Sequence, residues 1–350
     1  MQIYYIYLVE TRTVKQTTIT TANMQRIKLL LAVSVIILIA VGASYWASCQ
    51  ALRAETNVRY SGLQNVVSSE LYRTIKGMEM SAENVFNEVE KHLDSPDAVV
   101  LALESESNLN PDVRGYFAAF EPDFFKEKGR WFEPYVHHTD STKFEMTQVG
   151  SARHDYTQSG WYIRAKDLKM PFWSKPYYYY DGTNISGHYC TYVKPVFDSA
   201  GKLACVCGAD ITFEWLSNEL LNIDDKCRNA QQVNMYKLTR DFEFISAVFD
   251  KDGTCLVHPQ DKNVVITDEA ILGNLNNHVG GVAEMEIAGI PSMVFYGPIE
   301  GMEWTVAIIA PKSDVQKPFT YMSIFLALIA VLGIVAVWII CRQIKYAEKT

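Results

Sequence analysis

Two long apolar runs without a single charge bracket this sequence, and they limit what it can fold into more than any other feature. Leu29 to Ala47 reads LLLAVSVIILIAVGASYWA, and Phe319 to Cys341 forms a second uncharged run. At 1.5 Å of rise per residue, about 19 helical residues span about 28 Å, close to the hydrocarbon thickness of a bilayer. The first run is too long for a cleaved signal core, and Ala43-Ser44-Tyr45 is a weak cleavage site. Two transmembrane helices are therefore expected, at 29–49 and 319–341. Arg12, Lys15, Arg26 and Lys28 precede the first, and Arg342, Lys345 and Lys349 follow the second. Positive flanks stay in the cytoplasm, so segments 1–28 and 342–350 belong there, and residues from about 52 to 317 lie outside a cell (inner) membrane crossed twice. Met24 directly precedes the basic flank and reads as the true start.

The segment between the runs is long enough to bury one large core or two ordinary ones. With 49% hydrophobic residues the chain is not disordered as a whole. A formal net charge of -8 argues against nucleic acid as a partner, which needs a basic face. Five cysteines, Cys190, Cys205, Cys207, Cys227 and Cys255, fall in the external segment. An odd number cannot all pair within one chain. Cys205 and Cys207 share a strand face near Cys190, so one bridge there and buried apolar thiols are both open readings. Cys205-x-Cys207 is too tight for a zinc knuckle, and no metal or cofactor is expected.

Residues 53–94 read as a stalk helix. Leu63, Val66, Val67, Leu71, Ile75, Met78, Ala82, Val85, Phe86 and Val89 recur at helical steps, and the helix would reach roughly 60 Å. The stripe can serve as a homodimer seam, pack on its own domain, or do both. Beyond Ser95-Pro96 the pattern changes to short strands: Arg114 to Phe120, Gly129 to Val136, Phe172 to Tyr180, and His188 to Phe197. The turn Asp198-Ser-Ala-Gly201 then leads to Lys202 to Thr212 as a hairpin. A helix from Phe213 to Leu221 and a loop at Asp224-Asp225-Lys226 follow. A second strand set covers Phe244 to Asp250, Cys255 to His258, Gly281 to Ile287, Ser292 to Pro298 and Trp304 to Pro311. The order predicts an α+β fold: two stacked modules, 95–222 membrane-distal and 223–317 membrane-proximal, on the long N-terminal helix between two transmembrane helices.

Several local signatures occur in a recognisable order. They are Trp161-Tyr162, Trp173-Ser174-Lys-Pro176-Tyr177, Tyr192-Val-Lys-Pro195-Val196, Gly208-Ala-Asp210-Ile211, Asp252-Gly253 through His258-Pro259, and Gly297-Pro298 through Trp304. In this order, between two spans, the segment Arg53 to Pro311 resembles the double Cache (PAS-like) sensor domain of bacterial transmembrane receptors. The resemblance implies a distal module that binds a small molecule, a proximal module that relays the change, and a homodimer. It also implies a cytoplasmic output serving chemotaxis or a two-component system, which these 350 residues do not include.

Within that resemblance the ligand-binding candidates are Trp161, Tyr162, Trp173, Tyr177, Tyr179 and Asp210, with Tyr178 and Tyr180 adding to the aromatic density. Aromatic rings supply apolar contact with a polar handle, although tyrosines along a strand also fill cores. Asp210 could accept hydrogen bonds from an ammonium group, or cap the helix that begins at Phe213. The family's amino-acid-binding branch has Tyr-x-x-x-x-Arg-x-Trp-Tyr, and here His154 and Ser159 stand at the tyrosine and arginine positions. A serine cannot hold a carboxylate as a bidentate arginine does, which sets amino-acid sensing against other organic ligands. No Gly-x-Ser-x-Gly, P-loop or His-Glu-x-x-His motif occurs, so an enzyme is not expected. The alternative to a receptor is a membrane-anchored scaffold that contacts another protein and takes no small ligand.

Overall fold

The computed structural model of the chain describes residues 2–106, 110–139, 143–180, 185–233, 244–258 and 264–347. Pro259 of the His-Pro step and Lys349 lie outside the described residues. The chain divides into two compact units, Met1–Arg59 with Lys312–Thr350, and Tyr60–Pro311.

The first unit is helical. It contains the N-terminal part of α1 (Gln2–Lys91) and α6 (Lys312–Ala347). Each holds a stretch long and apolar enough to cross a membrane, with mean hydropathy of 2.5 and 2.9. Leu29, Ile36, Phe325 and Leu332 are exposed there, as side chains facing lipid would be. The two helices are joined by a hydrogen bond between Tyr45 Oη and Ser323 Oγ, 2.8 Å.

The second unit holds two antiparallel sheets along the remainder of α1. The first sheet has the order β3-β2-β1-β7-β6-β4, with β5 also paired to β6. Its strands are β1 (Gly115–Phe120), β2 (Pro134–His138), β3 (Phe144–Gln148), β4 (Phe172–Trp173), β5 (Tyr177–Tyr179), β6 (Gly187–Phe197) and β7 (Leu203–Thr212). The second has the order β10-β11-β12-β8-β9. It is built from β8 (Ile245–Asp250), β9 (Cys255–Val257), β10 (Gly281–Ile287), β11 (Ile290–Pro298) and β12 (Trp304–Pro311). The β6–β7 turn forms as expected: Asp198 Oδ1 accepts from the amides of Ala200 and Lys202, both 2.9 Å, and Gly201 takes φ +75°.

The apolar stripe of α1 is buried within its own unit. Val67, Leu71, Ile75, Met78, Ala82, Val85, Phe86 and Val89 are almost wholly covered, whereas Val66 turns outward at 50% exposure. Tyr60 stacks on Phe295 at 4.8 Å and Ser68 Oγ donates to the Pro298 carbonyl, both in the second sheet. One helical segment further on, Glu83 accepts from Tyr192 Oη at 2.8 Å and pairs with Lys194 Nζ at 2.7 Å, in the first sheet. The stripe therefore packs on its own domain.

Two expectations need correcting. Ser95-Pro96 does not end the helical region but opens α2 (Pro96–Glu106): Ser95 Oγ accepts from the Ala98 amide at 3.3 Å. Proline then sits where a helix has no use for its missing N–H. Asp224-Asp225-Lys226 is not a loop but lies inside α4 (Phe213–Val233). Asp224 is buried there because its carboxylate accepts from the Ser246 amide at 3.0 Å and from the Ser246 hydroxyl. That bond fixes α4 to the first residues of β8. Among the described residues the cysteines show no bridge: Cys190, Cys205 and Cys207 are buried free thiols, with the sulfurs of Cys205 and Cys207 3.8 Å apart.

Candidate functional site

One face of the first sheet is roofed by α3 (Gly160–Leu168) and the β4–β5 segment, and a cavity of about 520 Å³ lies between them. That volume is within the range that takes a small organic molecule. The floor follows from strand register. Gly115 of β1 pairs with Asp210 of β7, which pairs with Thr191 of β6, and one step along the same face Phe117, Gly208 and Val193 stand in line. Gly208 is required at this crossing: a Cβ would stand 2.1 Å from the Phe117 ring, which lies across it. Two residues later on the same face, Asp210 reaches the cavity beyond that ring.

The wall is aromatic. Phe117, Tyr135 of β2, Trp161 of α3, Phe172, Tyr177, Tyr179 and Tyr189 line it, and Trp161 packs on Phe117 at 5.0 Å. The polar groups are more unusual. Asp210 is 6% exposed and accepts from Thr191 Oγ1 at 2.6 Å and from Tyr177 Oη at 3.4 Å, while Tyr177 and Thr191 are themselves bonded at 2.7 Å. Burial raises its pKa to about 6, against the pull of the hydrogen bonds from Thr191 and Tyr177. Glu133, immediately before β2, is 4% exposed and also lines the cavity. Its Oε2 receives no hydrogen bond, and His154 Nε2 stands 3.7 Å away. Burial, with the nearby Asp210 charge, holds Glu133 well above the ordinary carboxylate range.

Four of the six candidates from the sequence, Trp161, Tyr177, Tyr179 and Asp210, meet in this cavity. Tyr162 does not line it. Its ring is 1% exposed in the core below α3, and its hydroxyl donates to Glu121 Oε1 at 2.8 Å. Trp173 faces a second cavity, of about 470 Å³, between the two sheets. There its Nε1 donates to Glu79 Oε1 at 2.8 Å and its ring lies 5.8 Å from Trp304. Asp210 does not cap α4, because Thr212 Oγ1 does so by accepting from the Trp215 amide at 3.1 Å. The two positions that depart from the amino-acid pattern, His154 and Ser159, both line the first cavity. Sequence reasoning missed Glu133 and Tyr135. The signal was available, since Glu133, Tyr135 and His137 alternate onto one face of a strand otherwise rich in apolar residues.

Among the described residues no group of three or more His, Cys, Asp and Glu side chains could hold a metal ion. His137 is buried and His138 is not, as expected of neighbours pointing to opposite faces.

Comparison with known proteins agrees with this architecture. Residues 101–218 match the family described as methyl-accepting chemotaxis protein-like, first PDC sensor domain. No curated protein sequence matches the chain. Among solved structures, the periplasmic sensory domain of the Campylobacter jejuni chemoreceptor Tlp1 superposes with a TM-score of 0.60 at 13% identity, covering 76% of this chain and 99% of that one. The ligand-binding domain of the Pseudomonas fluorescens chemoreceptor CtaA, in complex with L-isoleucine, gives 0.51 at 16% identity, covering 76% and 96%. That of the Pseudomonas aeruginosa amino acid chemoreceptor PctB, in complex with L-Gln, gives 0.50 at 16%, covering 78% and 98%. Residues 101–218 thus match a PDC sensor-domain family, and the chain shares the fold of these solved sensory domains, with a candidate membrane helix on either side in the sequence.

Proposed function

We propose that this chain is the sensing part of a two-pass inner-membrane receptor. Its double Cache segment binds a small extracytoplasmic molecule in the cavity beneath α3. The observation that carries this reading is the cavity itself, walled by Trp161, Tyr177 and Tyr179 with a buried carboxyl, Asp210, at its floor. In this proposal residues 95–222 form the distal, binding module and 223–317 the proximal, relaying module. A ligand drives signalling only if it binds two receptor states with different affinity, and α1 and α6 are the elements through which that bias leaves the sensor. The output acts in the cytoplasm, and the part played by these residues is sensing rather than catalysis. Homodimerisation belongs to the same proposal, through the outward face of α1 that carries Val66 and Met80.

The test is thermal stability of the full chain in nanodiscs against amino acids, organic acids, amines and purines. A true ligand at about one hundred times its dissociation constant adds about 2.7 kcal/mol, a shift of several degrees. The shift should vanish in Trp161→Ala. Silence across the panel favours the scaffold reading instead, and a shift that survives Trp161→Ala places the ligand outside this cavity.

A further inference from the structure

The cavity's charge is lopsided. Two side chains buried to more than nine-tenths, Glu133 and Asp210, bring carboxyl groups to its lining from neighbouring parts of the sheet. Among the described lining residues no cation is comparably buried. Lys175 is 60% exposed and its ammonium is held by Asp252 at 2.7 Å. Arg164 is 35% exposed, lies over the Phe172 ring and reaches Glu303 at 3.8 Å. His154 is the third, at 30% exposure beside Glu133. A buried carboxylate without a counter-charge is costly, so the group stays protonated until an occupant supplies the charge. Glu133 lines this cavity, and its Oε2 receives no hydrogen bond.

The rest of the lining suits the same occupant. Tyrosine and tryptophan faces attract an ammonium group through their ring quadrupoles, most strongly where water is excluded. A carboxylate in the same space would face two buried acids with no buried cation to receive it, and Ser159 offers only a hydroxyl.

We infer that the cavity selects a small organic cation, a molecule carrying at least one ammonium group and no carboxylate, with Glu133 and Asp210 as its paired acceptors. The inference rests on the receptor reading and narrows it to a ligand class. Both acids lie above their ordinary titration range in the unliganded chain, Asp210 at about 6, as expected of carboxyls awaiting a counter-charge.

The test is calorimetric titration of the full chain in nanodiscs with amines paired to the amino acids that differ only by the carboxyl group: histamine with histidine, tyramine with tyrosine, 3-methylbutylamine with leucine, putrescine with ornithine. At least one amine should bind about tenfold or more tightly than its partner, and Glu133→Gln should weaken that amine by a similar factor. Because Glu133 is held towards its neutral form without ligand, Glu133→Gln should leave the unliganded melting temperature nearly unchanged. If the amino acid of each pair binds as well as the amine, or if no amine binds, the inference is overturned, and the wild-type titrations alone decide this. A carboxylate or neutral ligand whose binding is lost in Trp161→Ala would overturn the cation class and leave the receptor standing. No cavity ligand of any class would overturn both.

Discussion

Burial governs how Asp210 responds to pH. The groups facing it are Thr191 and Tyr177, bonded to its carboxyl, with Tyr135 and Glu133 beside them. None supplies positive charge, so burial dominates and its pKa rises from the ordinary value of 3.8 to about 6. A folded-state pKa above the unfolded one means that the folded chain holds the proton more tightly. The unliganded sensor therefore loses stability as pH rises from about 4 to about 6, on the order of 3 kcal/mol from this residue alone. Glu133 shifts the same way and extends the loss to higher pH. Denaturant unfolding of residues 53–317 at pH 4, 5, 6 and 7 should show the decline, and Asp210→Asn should flatten its lower part. Stability that instead climbs with pH across this window would mean that a cation already compensates the site.

At the scale of elements, the join between β7 and α4 depends on one hydroxyl. Thr212 ends the strand and its Oγ1 accepts from one of the free amides of the helix's first turn, that of Trp215. Thr212→Ala should cost about 1 kcal/mol in the same unfolding assay, while Thr212→Ser should cost much less. This join also shows what the sequence made legible. Strand alternation and the Asp198–Gly201 turn located β6 and β7 within a residue, because period-two burial and turn chemistry are local. The role of Asp210 was not local. Capping and cavity lining were both open to it, and the presence of Thr212 two residues on decided between them. Trp161 and Tyr162 stood together as candidates, yet consecutive residues on a helix point about 100° apart, so one faces the cavity and the other the core. Glu133 differs: its alternation with Tyr135 and His137 was legible, but that this face is buried comes from packing across the sheet.

Across the whole sensor unit, the contacts between the two sheets differ greatly in worth. Trp304, 4% exposed in β12, meets Trp173 of β4 at 5.8 Å. Lys175 and Asp252 bridge the same gap, but both side chains are more than half exposed to water and salt. Trp304→Ala should destabilise residues 53–317 by about 3–5 kcal/mol, and Asp252→Ala should barely register by comparison. An equal loss from both would assign the coupling to charge. The helix beneath both sheets carries a further implication. Tyr60 and Ser68 fasten it to one sheet, and Glu79 and Glu83 to the other, along a single continuous α1. A helix turns about 100° with each residue, so angular phase between these two sets of fastenings is counted in whole residues. Gaining or losing one residue between Ser68 and Glu79 would swing one set a quarter-turn away from its sheet, so this stretch can change its letters far more freely than its length.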